Sequence, residues 1–238
     1  MLAEALVRGP GQADIERLAE DAIRLDAVLL FDHVEAWLAL GLPVESILVE
    51  LLAPAARCLG RWWEEDRCDF IDVTMGLWRL QEVMHELASG VPGAGGVAPS
   101  GRSVLIGAPE GEDHLFGAVM VETCFRRSGW HTVAELGSGH AELEARIAGE
   151  WFDVAGLSAS TTASLKVLPR LVARLRRASR NPDLVILVGG HAFADEPDLP
   201  ARVGADAAVM DARRAVTLAD RLCARRAACR PLRQAGLA

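Results

Sequence analysis

The sequence predicts an N-terminal helical bundle followed by a doubly wound α/β domain, a five-stranded parallel sheet of the flavodoxin-like or Rossmann-like kind. Three observations carry this. Apolar residues in the first part of the chain recur at helical spacing. Short apolar runs after residue 101 alternate with helical segments, as the strands of a sheet covered on both faces do. Between the two parts, "SGVPGAGGVAPSG" at 89–101 holds no side chain large enough to anchor a core and reads as a flexible linker. The expected division is therefore a bundle at 1–88, a linker at 89–101 and an α/β domain at 102–238.

Helices are expected at 12–31 and 33–40, before "GLP" at 41–43 breaks the chain, and again at 43–62. The clearest lies at 70–87, where Phe70, Val73, Leu77, Leu80, Met84 and Leu87 step by 3, 4, 3, 4 and 3 residues, one buried stripe. Trp37 and Trp78 are expected in the bundle core. Past the linker, strands are expected at 103–107, 131–136, 153–158, 184–188 and 206–210. The helices between and after them are expected near 114–128, 140–150, 162–178, 194–203 and 212–227.

Bulk properties narrow the function classes. No apolar run approaches a membrane span and no signal peptide is evident, so a cytoplasmic protein is expected. The net charge of −8 argues against a surface that binds nucleic acid as a whole. Residues 1–100 carry 7 Arg against 17 acidic residues; residues 101–238 carry 18 Lys/Arg against 16, consistent with two dissimilar units. The five cysteines form no CxxC pair, so neither a zinc site nor a disulfide framework is indicated. The arginine run "PRLVARLRRASR" reads as a solvated helix face, and the tail "RLCARRAACRPLRQ" as that or a partner contact.

Ligands of doubly wound sheets bind beyond the carboxyl ends of the strands. Three loops leave those ends with conspicuous residues: "APEGEDHLFG" after strand one, "SASTTAS" after strand three and "GGHAF" after strand four. His114 stands at a helix start. Glu112, two residues earlier, can accept from one ring nitrogen and leave the other free to ligate a metal. Asp113 and Phe116 flank it, and Gly117 removes a side chain from the nearby helix face. Ser158, Ser160 and Thr161 offer hydroxyls. After Val188, Gly189–Gly190 leave a bare strand end against which a flat group can lie, and His191 next to them either approaches that group or is exposed on the loop. The competing explanation is that Glu112 and Asp113 cap the helix and His114 is merely solvated. Alone, His114 favours that explanation; the three loops together favour a site. No GxGxxG, GxSxG or P-loop pattern is present.

Glu-x-His-x-x-Gly, then Ser158, then Gly189–Gly190, resembles the cobalamin-binding domain of methionine synthase and its relatives, with Glu112 where that family has Asp. The resemblance implies His114 as the lower axial ligand of cobalt and Glu112 as its hydrogen-bonding partner. Gly117, Ser158, Gly189 and Gly190 would line the pocket of the displaced nucleotide tail. Upstream, "LGRWWEEDRCDFIDVTMGLWRLQEVMHEL" resembles the helical cap of such proteins, with Trp63 facing the upper ligand and Val73, Thr74 and Leu77 lining that surface. Light-responsive cobalamin regulators carry a Glu-His pair some ten residues past that Trp; here Asp72, Val73 and Thr74 follow instead.

Trp63, Asp66, Phe70, Val73-Thr74, Gly76 and Leu80-Gln81 resemble the PpaA/AerR proteins of purple photosynthetic bacteria, cobalamin-binding antirepressors whose helical module is also called SCHIC. That resemblance spans residues from about 40 to 227. It implies bound adenosylcobalamin or hydroxocobalamin, a light response, no catalysis, and action through a partner DNA-binding repressor of the PpsR/CrtJ kind. Two alternatives stand beside it: a corrinoid shuttle of a methyltransferase system, and a haem sensor using His85 or Cys68.

Overall fold

The computed structural model describes residues 9–90, 99–194 and 196–235, excluding the side chains of 89, 90 and 229–235. Most of the expected linker, residues 91–98, lies outside them, as do the side chains at the end of the arginine-rich tail. The chain divides into two compact units, Met1–Gly95 and Gly96–Ala238.

In the first unit, the helices expected over 12–31 and 33–40 become α1 (Gln12–Arg24) and α2 (Ala27–Ala39), with the break earlier than expected, at Leu25–Asp26. Asp26 is the reason: its backbone is extended and its carboxylate accepts the Leu29 amide at 2.9 Å, which starts a new helix. After Gly41 turns the chain at φ +87°, α3 runs through Val44–Ser46, a π-helical stretch Ile47–Leu52 and Ala53–Glu64. Then α4 (Phe70–Gly90) packs on α1, α2 and α3. Arg79 of α4 donates to the carbonyls of Ala22 and Ile23 at 2.8 and 2.6 Å, satisfying two groups that the end of α1 leaves open.

The apolar stripe of α4 is buried only in part. Leu80, Val83, Met84 and Leu87 are in the core, but Phe70 is 69% and Trp78 53% exposed, against the expectation for both; Trp37 is half-buried. The cause is the approach of α3 at Gly76, where a Cβ would stand 2.8 Å from Leu59 Cδ1. That close approach centres the buried face on Gly76, Leu80, Val83 and Leu87. Phe70, Ile71, Thr74 and Trp78 fall on the opposite side.

The second unit is the expected doubly wound sheet. Its strands are β1 (Ser103–Gly107), β2 (His131–Glu135), β3 (Val154–Ser158), β4 (Val185–Gly189) and β5 (Ala207–Ala208), all parallel, in the order β2-β1-β3-β4-β5. The helices are α5 (Phe116–Arg127), α6 (His140–Gly149), α7 (Thr162–Ala178), the single turn α8 (Leu199–Arg202) and α9 (Ala212–Ala235). Thus β5 keeps two of its five expected residues. The helix expected at 194–203 shrinks to α8, and a 3-10 turn, His191–Phe193, precedes it. The chain runs from β1 outward to β2 and then crosses back to β3, so the loops after β1 and β3 leave the sheet side by side. Among the described residues no helix is long and apolar enough to cross a membrane.

Candidate functional site

The loop from Ala108 to Leu115 leaves the buried end of β1. Gly111, at φ +82°, permits a tight turn in which the Glu112 amide donates to Pro109 O at 3.1 Å. The turn drops the Glu112 side chain, wholly buried, between the ends of β1 and β3. Four donors converge on its carboxylate. The His114 amide (3.0 Å) and Nδ1 (2.7 Å) reach Oε1, and the Ser160 amide and Ser164 Oγ, each at 2.7 Å, reach Oε2. Burial pushes the carboxyl pKa up, but these hydrogen bonds outweigh it and hold Glu112 below its ordinary value.

An ionised carboxylate only accepts, so Nδ1 of His114 carries the proton and Nε2 keeps its lone pair. The imidazole is 68% exposed beyond its buried anchor. A fixed ring with a free basic nitrogen facing outward, backed by a negative charge, is a metal ligand in form. Among the described residues no group of three His, Cys, Asp or Glu side chains gathers to hold a metal ion. A single protein ligand suits a metal that brings the rest of its coordination with it, as cobalt in a corrin does. The other explanation fails in its capping part: α5 begins at Phe116 after Leu115, with no side-chain cap from Glu112 or Asp113.

Ser164, the last residue of the SASTTAS stretch, was not singled out by the sequence. It lies in the first turn of α7, where Thr161 caps the helix by accepting the Ser164 amide at 3.1 Å. Because the Ser164 hydroxyl donates to Glu112, Thr161 Oγ1 donates to Ser164 Oγ at 2.9 Å. Thr161 and Ser164 from one side and His114 from the other thus all donate toward Glu112 in one connected network. Its sequence signal was the Thr161-x-x-Ser164 cap, but only the pairing of β1 with β3 brings it to Glu112.

The remaining expected residues are placed as follows. Ser158 ends β3 opposite Gly189, Ser160 uses its amide on Glu112, and Val188 is buried in β4. Asp113 and His191 are exposed, and Phe116 is half-buried. A Cβ on Gly117 would meet nothing within 4 Å, so the space over that turn of α5 is open. The paired glycine differs. A Cβ on Gly189 would stand 2.7 Å from Val209 O, and one on Gly190, at φ +105°, 2.2 Å from Ala159 O. The chain's own backbone occupies that side, so both glycines are required by packing whatever binds. In the first unit, Trp62 is buried and Trp63 53% exposed, Thr74 is exposed, and Val73 and Leu77 are half-buried.

Residues 102–218 match the B12 binding domain family. Over 183 residues the chain is 30% identical to the uncharacterized 20.5 kDa protein in the bchF-crtJ intergenic region of Rhodobacter capsulatus, covering 77% of this chain and 93% of that protein. Among solved structures, the monomethylamine corrinoid protein of Methanosarcina barkeri has a TM-score of 0.67 at 19% identity. The likeness covers 88% of this chain and 98% of that one, and at that identity it is a likeness of fold. By these matches the chain belongs to the PpaA/AerR family of cobalamin-binding proteins.

Proposed function

We propose that the protein is a cobalamin-dependent regulator. It holds the cofactor through His114 and reports the cofactor's state to a DNA-binding repressor of photosynthesis genes, whose hold on DNA it relieves. The observation that carries the reading is the Glu112–His114 pair: a buried carboxylate with four donors exists to fix one exposed imidazole nitrogen. A relative encoded between bchF and crtJ, in the region of photosynthesis genes, supports the target.

Bound as adenosylcobalamin, the cofactor supplies a light-labile cobalt–carbon bond and a bulky upper group. The protein's own residues do the rest. Glu112 raises the donor strength of His114 Nε2 by accepting a hydrogen bond from Nδ1–H. Ser158 and the open face at Gly117 would receive the nucleotide tail. Trp63, Phe70, Ile71 and Trp78 are, with Val28 and Leu29, large apolar side chains exposed on the first unit, a surface for a partner protein to meet.

The test is a DNA-binding assay with the repressor, protein and adenosylcobalamin, in darkness and after illumination. The reading predicts a several-fold change in repressor affinity for its operator on illumination, abolished by His114→Ala. Equal shifts in both conditions would count against it. A corrinoid shuttle has only the fold likeness to the monomethylamine corrinoid protein in its favour. It predicts methylcobalamin accumulation on addition of a methyl donor and its methyltransferase.

A further inference from the structure

The loop that carries Glu112 and His114 is tied from a second side. The Glu110 amide donates to His140 Nε2 at 3.1 Å. His140 is the first residue of α6, which Gly139 caps without a side chain. The loop after β1 is thus held toward β3 by the Glu112 carboxylate and toward β2 by His140. A ring nitrogen that accepts an amide proton is unprotonated, so His140 is neutral with its hydrogen on Nδ1. Protonation would set two N–H donors against each other.

We infer that His140 is a positioning residue for the cofactor loop, and that proton uptake by its ring releases the loop. The inference rests on the reading that His114 ligates the cofactor. Around the first turns of α6 lie the carboxylates of Glu110 and Glu142, which reach to 3.8 and 2.8 Å of a Cβ position on Gly139. Glu144 is paired with Arg174 of α7, and Glu135 of β2 with Arg146. Release moves no residue of the Glu112 network directly. It frees the four-residue step between Glu110 and His114, so the imidazole spends less time in ligating position.

The test begins with the protein free of cofactor. Nitrogen NMR of His140 and amide exchange of Glu110 are measured at pH 8 and pH 5.5 in the wild type, His140→Ala and His140→Gln, whose amide oxygen can accept at about the same reach. The wild type shows the Nδ1–H tautomer at pH 8 and a protected Glu110 amide, with protection falling in acid. His140→Ala loses protection at both values, and His140→Gln keeps it at both. With cobalamin, His140→Ala holds the cofactor about 2- to 10-fold more weakly at pH 8, the effect of one net hydrogen bond, and His140→Gln restores it. An Nε2–H tautomer, or unchanged Glu110 exchange in His140→Ala, would overturn the inference. A wild-type cobalamin spectrum in His114→Ala would overturn the reading beneath it, and the Glu110 exchange, read without cofactor, separates the two failures.

Discussion

Replacing Glu112 by Gln keeps the shape of the side chain and changes one of its two oxygens into a donor. Both oxygens receive a backbone amide and one further donor. If the new NH2 group faces Ser160 and Ser164, the Ser164 hydroxyl can turn to accept, but the Ser160 amide is left unpaired. If it faces His114, the ring can change tautomer, but the His114 amide is left unpaired and Nε2 gains a proton. Either way one partly buried N–H loses its acceptor, at about 1–3 kcal/mol, and the remaining bonds lose their charge assistance. The sum is about 2–4 kcal/mol at neutral pH, which lowers the urea midpoint of the second unit by roughly 1–2 M at an ordinary slope. Urea unfolding of the cofactor-free protein, followed by circular dichroism, measures this. The penalty also depends on pH. The folded Glu112 carboxyl lies below its ordinary value of 4.5, so its contribution is complete above that value and is lost as pH falls through the folded one. The gap between wild type and variant therefore closes in acid. A variant within about 0.5 kcal/mol of wild type at pH 7 would refute the four-donor geometry.

The two kinds of glycine should part company. Gly117→Ala, placed in open space in the first turn of α5, should leave the cofactor-free protein as stable as before or up to about 1 kcal/mol more so, while impairing cobalamin retention on gel filtration. Gly190→Ala, strained at φ +105° and driven against Ala159 O, should cost more than about 3 kcal/mol in the same melts without any cofactor present. Ser164→Ala, which removes the hydroxyl from Glu112, should cost about 1–2 kcal/mol in thermal or urea unfolding. Burial pushes the Cys223 thiol up to about 11, so maleimide-type labelling of that residue at pH 8 should be slow and accelerate sharply in urea, as peptide mapping would show.

The parallel sheet was legible because its central strands are buried on both faces and so read as unbroken apolar runs, "SVLIG" and "LVILV". The edge was less so: β5 contributes two alanines, too few to carry a pattern. The Glu112–His114 pair could be read from sequence because its spacing is local. Ser164 and His140 could not, being 52 and 30 residues from their partners and joined to the β1 loop only by the strand order. Phe70 and Trp78 were misjudged because periodicity reports that a helix has an apolar side, not which side a neighbour takes. The decisive contact was Gly76 against Leu59, and a glycine leaves no mark in a hydrophobic count. The break at Asp26 did leave a mark, an N-cap residue inside a helical pattern.

The central claim is that His114 is the cobalt ligand of a cobalamin-binding regulator. Its most direct measurement is the absorption spectrum of wild type and His114→Ala, each mixed with adenosylcobalamin in darkness, passed through gel filtration and then illuminated. The account predicts that the wild type carries the cofactor through the column and changes spectrum in light, whereas His114→Ala loses it or shows base-on cobalamin. A variant that retains the cofactor with the wild-type spectrum, or a wild type that emerges colourless, would contradict it.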